Sequence, residues 1–92
     1  MIQTDFKTPI ELRRAIAANV RARRKTRKLS LKRLSEVSGV SYGSLKRFES
    51  SGEIALTSLI KIALVLDCTD AFERLFADPG PQSIREIIDG NL

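Results

Sequence analysis

The 92-residue sequence predicts an all-α fold of five helices with room for a sixth, and three observations predict it. Apolar residues recur three and four positions apart along most of the chain, whereas no run alternates apolar with polar as a half-buried strand would. Residues suited to helix starts stand ahead of those runs at Thr8, Ser30, Ser41 and Asp70. Two of the helices are short and separated by only a few residues that include Gly39, whose freedom to adopt a left-handed backbone permits a sharp turn.

Thr8-Pro9-Ile10-Glu11 opens the first helix, with threonine as N-cap, proline at the first helical position and glutamate placed to reach back to the cap amide. That helix should run to about Lys25, with Leu12, Ile16 and Val20 as its core stripe and Arg13, Arg14, Arg21 and Lys25 on other faces. Ser30 caps a second helix, "LKRLSEV", with Leu34 and Val37 turned inward. Ser41 caps a third, in which Leu45 and Phe48 face the core and Tyr42, Gly43, Lys46, Arg47 and Ser50 face out, until Ser51-Gly52 ends it. Residues 56–66, "LTSLIKIALVL", carry Lys61 as their sole charge, so this fourth helix should be buried all round or covered by a partner. Asp70 with Glu73 forms a capping pair for a short helix carrying Phe72, Leu75 and Phe76, stopped by Asp78-Pro79-Gly80-Pro81. Ser83 with Glu86 could start a last turn or two. The expected organisation is one domain over residues 1–78 and a C-terminal tail over residues 79–92 that offers a short helix for dimer or partner contact.

Composition narrows the function. There is no histidine and a single cysteine, Cys68, so an intrachain disulfide, the usual zinc ligand sets and histidine-based catalytic triads are excluded. No metal site, catalytic residue or cofactor is implied, and Cys68 reads as a small buried hydrophobe. No apolar stretch is long enough for a membrane span and the N-terminus lacks the order of a signal peptide, so a cytoplasmic, nucleoid-associated protein with no membrane partner is expected. Net charge is +5 but unevenly placed. Between Lys7 and Arg47 thirteen Lys and Arg residues meet only Glu11 and Glu36, while from Phe48 onward three basic residues face eight acidic ones. The first half suits a polyanion and the second does not.

Residues 31–50 carry the specific signal. A helix-turn-helix requires an apolar residue at its fourth position, a small one at the fifth, glycine at the ninth and apolar residues at the tenth, fifteenth and eighteenth, because two steeply crossed helices touch only there. Those positions hold Leu34, Ser35, Gly39, Val40, Leu45 and Phe48. The eighth, usually apolar, is Ser38, whose hydroxyl could bond to backbone.

The string "LSLKRLSEVSGVSYGSLKRFESSG" followed by "SLIKIALVL" resembles the Cro/C1 (Xre) family of helix-turn-helix regulators over roughly residues 10–76. The resemblance implies a five-helix, lambda-repressor-like DNA-binding domain whose second motif helix lies in the major groove. It implies DNA-facing positions at Ser41, Tyr42, Gly43, Ser44, Lys46, Arg47 and Ser50. The family's frequent glutamine at the start of the first motif helix is replaced by Leu31, which removes a polar contact. It also implies an ion pair between Glu49 and Arg24. More narrowly, "SYGSLKRFESSGEIALTSLIKIALVLDCTDAFERLF" resembles HipB-like regulators associated with HipA-type kinase toxins.

The residues support DNA binding on their own chemistry. A helix N-terminus presents free amides and partial positive charge, so Ser41, Tyr42 and Gly43 suit a phosphate or a base edge. Gly43 lets the helix start approach closely; the alternative is a glycine merely tolerated in a first turn. Arg47 offers a fork for guanine and Lys46 a charge for phosphate, unless both are only solvated. Tyr42 suits a thymine methyl or a phosphate, unless it packs. From the run "RARRKTRK", Arg27 and Lys28, together with Lys32, are expected to flank the groove.

The leading expectation is a sequence-specific transcriptional repressor that binds double-stranded DNA at an inverted-repeat operator as a homodimer, probing two grooves one turn apart. Ile62, Val65, Ile84, Ile87 and Ile88 are the candidates for the dimer or partner surface. The alternative is an antitoxin-type protein that neutralises a HipA-like kinase toxin, with DNA binding secondary. RNA binding lacks exposed aromatics for stacking, and an enzyme reading is left only an unspecific serine and lysine chemistry.

Overall fold

A computed structural model describes residues 7–80, which form five helices and no strand: α1 (Pro9–Thr26), α2 (Leu31–Ser38), α3 (Tyr42–Ser51), α4 (Leu56–Val65) and α5 (Asp70–Glu73). None of these helices is long and apolar enough to cross a membrane. The expected last turn at Ser83 to Glu86, and the partner candidates Ile84, Ile87 and Ile88, lie outside the described residues.

α1 starts as its sequence dictates. The Thr8 hydroxyl accepts from the Glu11 amide at 3.1 Å, and the Glu11 carboxylate accepts from the Thr8 amide at 2.8 Å. α2 and α3 are both capped by serine and closed by left-handed glycines, Gly39 at φ 78° and Gly52 at φ 80°. α3 packs on α1, and α2 packs on both α3 and α4. Their shared core holds Leu34, Leu45, Phe48, Ile62 and Leu66, all at 1% exposure or less, with Ala17 and Val40 beside them. Each large side chain so buried contributes roughly 1.5–3 kcal/mol, so Leu45 and Phe48 are the apolar anchors of α3 and its other face stays free of packing.

Expectations on four helices are corrected. On α1 the expected stripe of Leu12, Ile16 and Val20 holds only at Val20, which is half-buried against the core: Leu12 and Ile16 are nearly half exposed, and the fully buried positions are Ala17 and Arg24. Ile16 stands about 100° round the helix from Ala17, off the face that meets α3. A hydrophobicity count assigns that face wrongly because the residue that closes it, Arg24, is charged and satisfied by pairing. On α2, Val37 is exposed, since the buried arc turns toward Leu31, Leu34 and Ser38.

On α4, Ile62 is buried at 1% and Val65 is half-buried against the core, so neither forms an open partner surface. The helix is not covered all round, for Leu56 and Leu64 are 61% and 65% exposed. At α5, Asp70 is the first helical residue and not the cap; Thr69 takes that place without a side-chain bond, and Asp70 pairs instead with Arg74 at 3.6 Å. Leu75 and Phe76 follow as exposed residues.

Candidate nucleic-acid interface

The turn between α2 and α3 is fixed by two serines. Ser35 donates its hydroxyl to the Val40 carbonyl at 2.6 Å, and Ser38 accepts from the Val40 amide at 3.1 Å. The expected backbone bond of Ser38 is therefore present, and it replaces the apolar packing usual at the eighth position. Val40 is buried between these bonds. α3 thus leaves the turn at a direction set by hydrogen bonds as well as by Gly39.

Ser41 caps α3, its hydroxyl accepting from the Ser44 amide at 3.1 Å and donating to the Ser44 hydroxyl at 2.8 Å. Those two hydroxyls are mutually engaged. The amides of Tyr42 and Gly43, in the first turn, have no intrahelical acceptor and remain for an anion. A β-carbon built on Gly43 would meet no atom within 4 Å. Packing therefore does not require glycine there.

Tyr42, Gly43, Ser44, Lys46, Arg47 and Ser50 are all exposed, on the side of α3 opposite Leu45 and Phe48. The Lys46 ammonium lies 5.9 Å from the centroid of the Tyr42 ring, a cation–π arrangement that holds both side chains on one patch. Arg47 is 71% exposed but not free: the Glu53 carboxylate accepts from its Nε at 3.1 Å and its Nη2 at 2.5 Å. The sequence reading did not foresee this pair, because six residues spanning a helix end and a glycine turn have no fixed spacing rule.

Glu49, an acid beside a basic face, is neutralised. Its two oxygens accept from Arg24 Nε at 2.8 Å and Nη2 at 3.0 Å, with the side chains only 10% and 9% exposed, and Arg21 adds a more distant cation at 3.8 Å. Arg24 also donates Nη1 to the Leu29 carbonyl at 2.7 Å. One guanidinium thereby ties α3 to the corner between α1 and α2. That corner carries Arg27, Lys28 and Lys32, all exposed, with Lys28 in a left-handed conformation at φ 58°. Its neighbour Arg33 is paired with Glu36 at 3.2 Å.

Gly52 has a structural role that its position at a helix end only hinted at. A β-carbon there would stand 2.7–2.8 Å from backbone and Cβ atoms of Arg13, so α3 and α1 meet at this point as closely as backbones allow. Among the described residues no group of His, Cys, Asp or Glu is placed to hold a metal ion. The arrangement is a rigid helix with an open N-terminus, a short polar and cationic outer face, and a basic corner bonded to it, a form matched to a duplex groove.

The family model for helix-turn-helix domains matches residues 20–72, from the second half of α1 to α5. Comparison with curated proteins and with solved structures gives no match.

Proposed function

Because the chain belongs to the helix-turn-helix family of Cro/C1 (Xre) type and is thereby a DNA-binding regulator, we propose that it represses its own operon as a homodimer on an inverted-repeat operator. The observation that carries this reading is the outer face of α3, where Tyr42, Gly43, Lys46 and Arg47 are exposed on a helix locked from behind by Leu45, Phe48 and the buried Arg24–Glu49 pair. Arg47 reads a base edge, Lys46 and the Tyr42 and Gly43 amides hold phosphate or approach a base, and Arg27, Lys28 and Lys32 follow the backbone. Exposed Leu56, Leu64, Leu75 and Phe76, all outside the basic half, support a protein contact that joins two copies. A regulator of this kind works in the cytoplasm on the nucleoid.

Selection of duplex fragments by the purified protein, followed by footprinting, tests the reading. Two protected half-sites centred about 34 Å apart are expected. A monomer on an asymmetric site would reject the dimer, and equal binding to all duplexes would reject specific recognition. Tyr42→Ala with Arg47→Ala should reduce the preference for the selected site over random duplex about a hundredfold, since each base contact discriminates by roughly 1–3 kcal/mol, and leave the thermal midpoint unchanged.

A second reading, neutralisation of a HipA-like kinase toxin, is supported by the same apolar surface, where Phe76 is 94% exposed. Co-purification with a kinase-like chain and loss of that chain's toxicity would establish it; if Phe76→Ser left the association unchanged, the contact would lie elsewhere.

A further inference from the structure

We propose that Glu53 is a positioning residue for base recognition, gripping one edge of the Arg47 guanidinium so that the remaining edge is presented to guanine. The inference deepens the reading of α3 as the groove-entering helix and rests on it. An arginine carries five N–H donors in a rigid plane. Glu53 Oε1 takes one from Nε and one from Nη2, at 3.1 and 2.5 Å, which occupies the side of the plane. Nη1 and the outer hydrogen of Nη2 make up the end of the fork, the pair that matches O6 and N7 of guanine. The grip therefore leaves the specific donors open.

Glu53 is itself fixed. Its amide donates to the Ser51 hydroxyl at 3.1 Å, and its Oε2 lies 3.9 Å from Arg13 Nη2 on α1. The preceding residue, Gly52, is seated against the Arg13 backbone so tightly that a β-carbon would overlap it at 2.7 Å. The carboxylate is thus held on the α1–α3 junction, and Arg47, otherwise a long exposed side chain with many rotamers, is held by the carboxylate.

The charge of Glu53 adds discrimination in a second way. A phosphate that captured Arg47 from the side would have to displace Glu53 and then stand beside a free carboxylate, which opposes binding to arbitrary duplex. A guanine met end-on displaces nothing. The pair therefore favours target over random DNA without stabilising the fold, since an ion pair this exposed contributes little to folding.

The test uses the full chain, the duplex it selects from a random pool, and a random duplex of equal length. Glu53→Ala is expected to raise affinity for random duplex severalfold and lower the target preference about tenfold, the value of one good base contact, with the thermal midpoint unchanged. Glu53→Gln, which keeps an acceptor oxygen but no charge, should raise random binding equally and lose less preference. In an Arg47→Lys background, where no fork remains, Glu53→Ala should lower preference no more than Glu53→Gln does, since only the effect of the charge is left. If the wild-type protein discriminates and Glu53→Ala leaves that preference within error, the positioning role is overturned while the recognition reading stands. If Glu53→Ala lowers preference equally in the Arg47→Lys background, Glu53 acts on something other than Arg47 and the proposal is again overturned. If the wild type itself prefers no duplex, both fall together.

Discussion

α3 takes part in two arginine–glutamate pairs that engage the same arginine nitrogens and differ most in their exposure to water. Arg24 and Glu49 meet behind the helix with side chains 9% and 10% exposed, and Arg47 and Glu53 meet at its far end with 71% and 45% exposed. In each, the carboxylate accepts from Nε and Nη2 of the arginine. The buried arginine places Nη1 on the Leu29 carbonyl and so closes the scaffold; the outer one keeps its remaining donors for solvent. The same chemistry thus closes the scaffold in one place and leaves donors open to solvent in the other, and exposure decides which.

The largest effect expected from breaking this contrast follows Glu49→Ala. It would leave the Arg24 guanidinium buried with only the Leu29 carbonyl as acceptor, and removal of one partner from a buried pair costs about 3–5 kcal/mol. Arg21 at 3.8 Å cannot compensate, being a cation itself. Denaturant unfolding should show a loss of about 3 kcal/mol or more for Glu49→Ala, against less than about 1 kcal/mol for Glu53→Ala. Similar losses for the two would show that exposure does not separate them.

Much of this was legible in the residues. The caps at Thr8, Ser30 and Ser41 and the turn at Gly39 are local chemistry, and the motif spacing from Leu34 to Phe48 follows from where two crossed helices touch. The outward face of α3 followed by subtraction. What was hidden depends on three dimensions. Leu12 and Ile16 fall off the buried face because α3 meets α1 along Ala17 and Arg24, a face whose charged member is buried with Glu49 and the Leu29 carbonyl as its partners. Ile62 is buried because α2 covers the side of α4 that an all-apolar helix leaves undetermined. The Arg47–Glu53 pair depends on Gly52 turning the chain back against Arg13, which no periodicity encodes.

Next in size are two positions on the proposed DNA-facing surface that give up stability the scaffold keeps. Lys28 holds φ 58°, a conformation that costs a side-chain-bearing residue about 1 kcal/mol relative to glycine. Lys28→Gly should therefore raise stability by up to about that amount, and reduce the slope of log affinity against log salt by about one if its ammonium rests on a phosphate. An unchanged slope would place Lys28 off the DNA. Gly43 is the converse. With open space around its missing β-carbon, Gly43→Ala should stabilise the free protein by roughly 0.5–1 kcal/mol while weakening target binding. If Gly43→Ala binds its target as well as wild type, the glycine is merely tolerated in a first turn.

The smallest effect concerns a third glutamate, Glu11, which pairs with backbone instead of arginine. The Thr8 amide that donates to its carboxylate, then the Thr8 side chain and the charge of Lys7, hold its carboxyl below the usual carboxylate range. A group depressed in the folded state contributes stability above its unfolded pKa and loses it as pH falls through the folded value. The start of α1 should therefore loosen only in distinctly acid solution. Proton NMR of the Thr8 amide should follow the protonation of Glu11, with a midpoint lower than that of an unstructured glutamate, and Glu11→Gln should abolish that step while its side-chain oxygen keeps the capping bond. Any change at α3 over the same titration should be the same in wild type and in Glu11→Gln, because the cap bond closes only the first turn of α1. A shift at Phe48 present in the wild type and absent from Glu11→Gln would mean that the first turn of α1 braces α3, and the scaffold behind α3 would have to begin nearer the N-terminus.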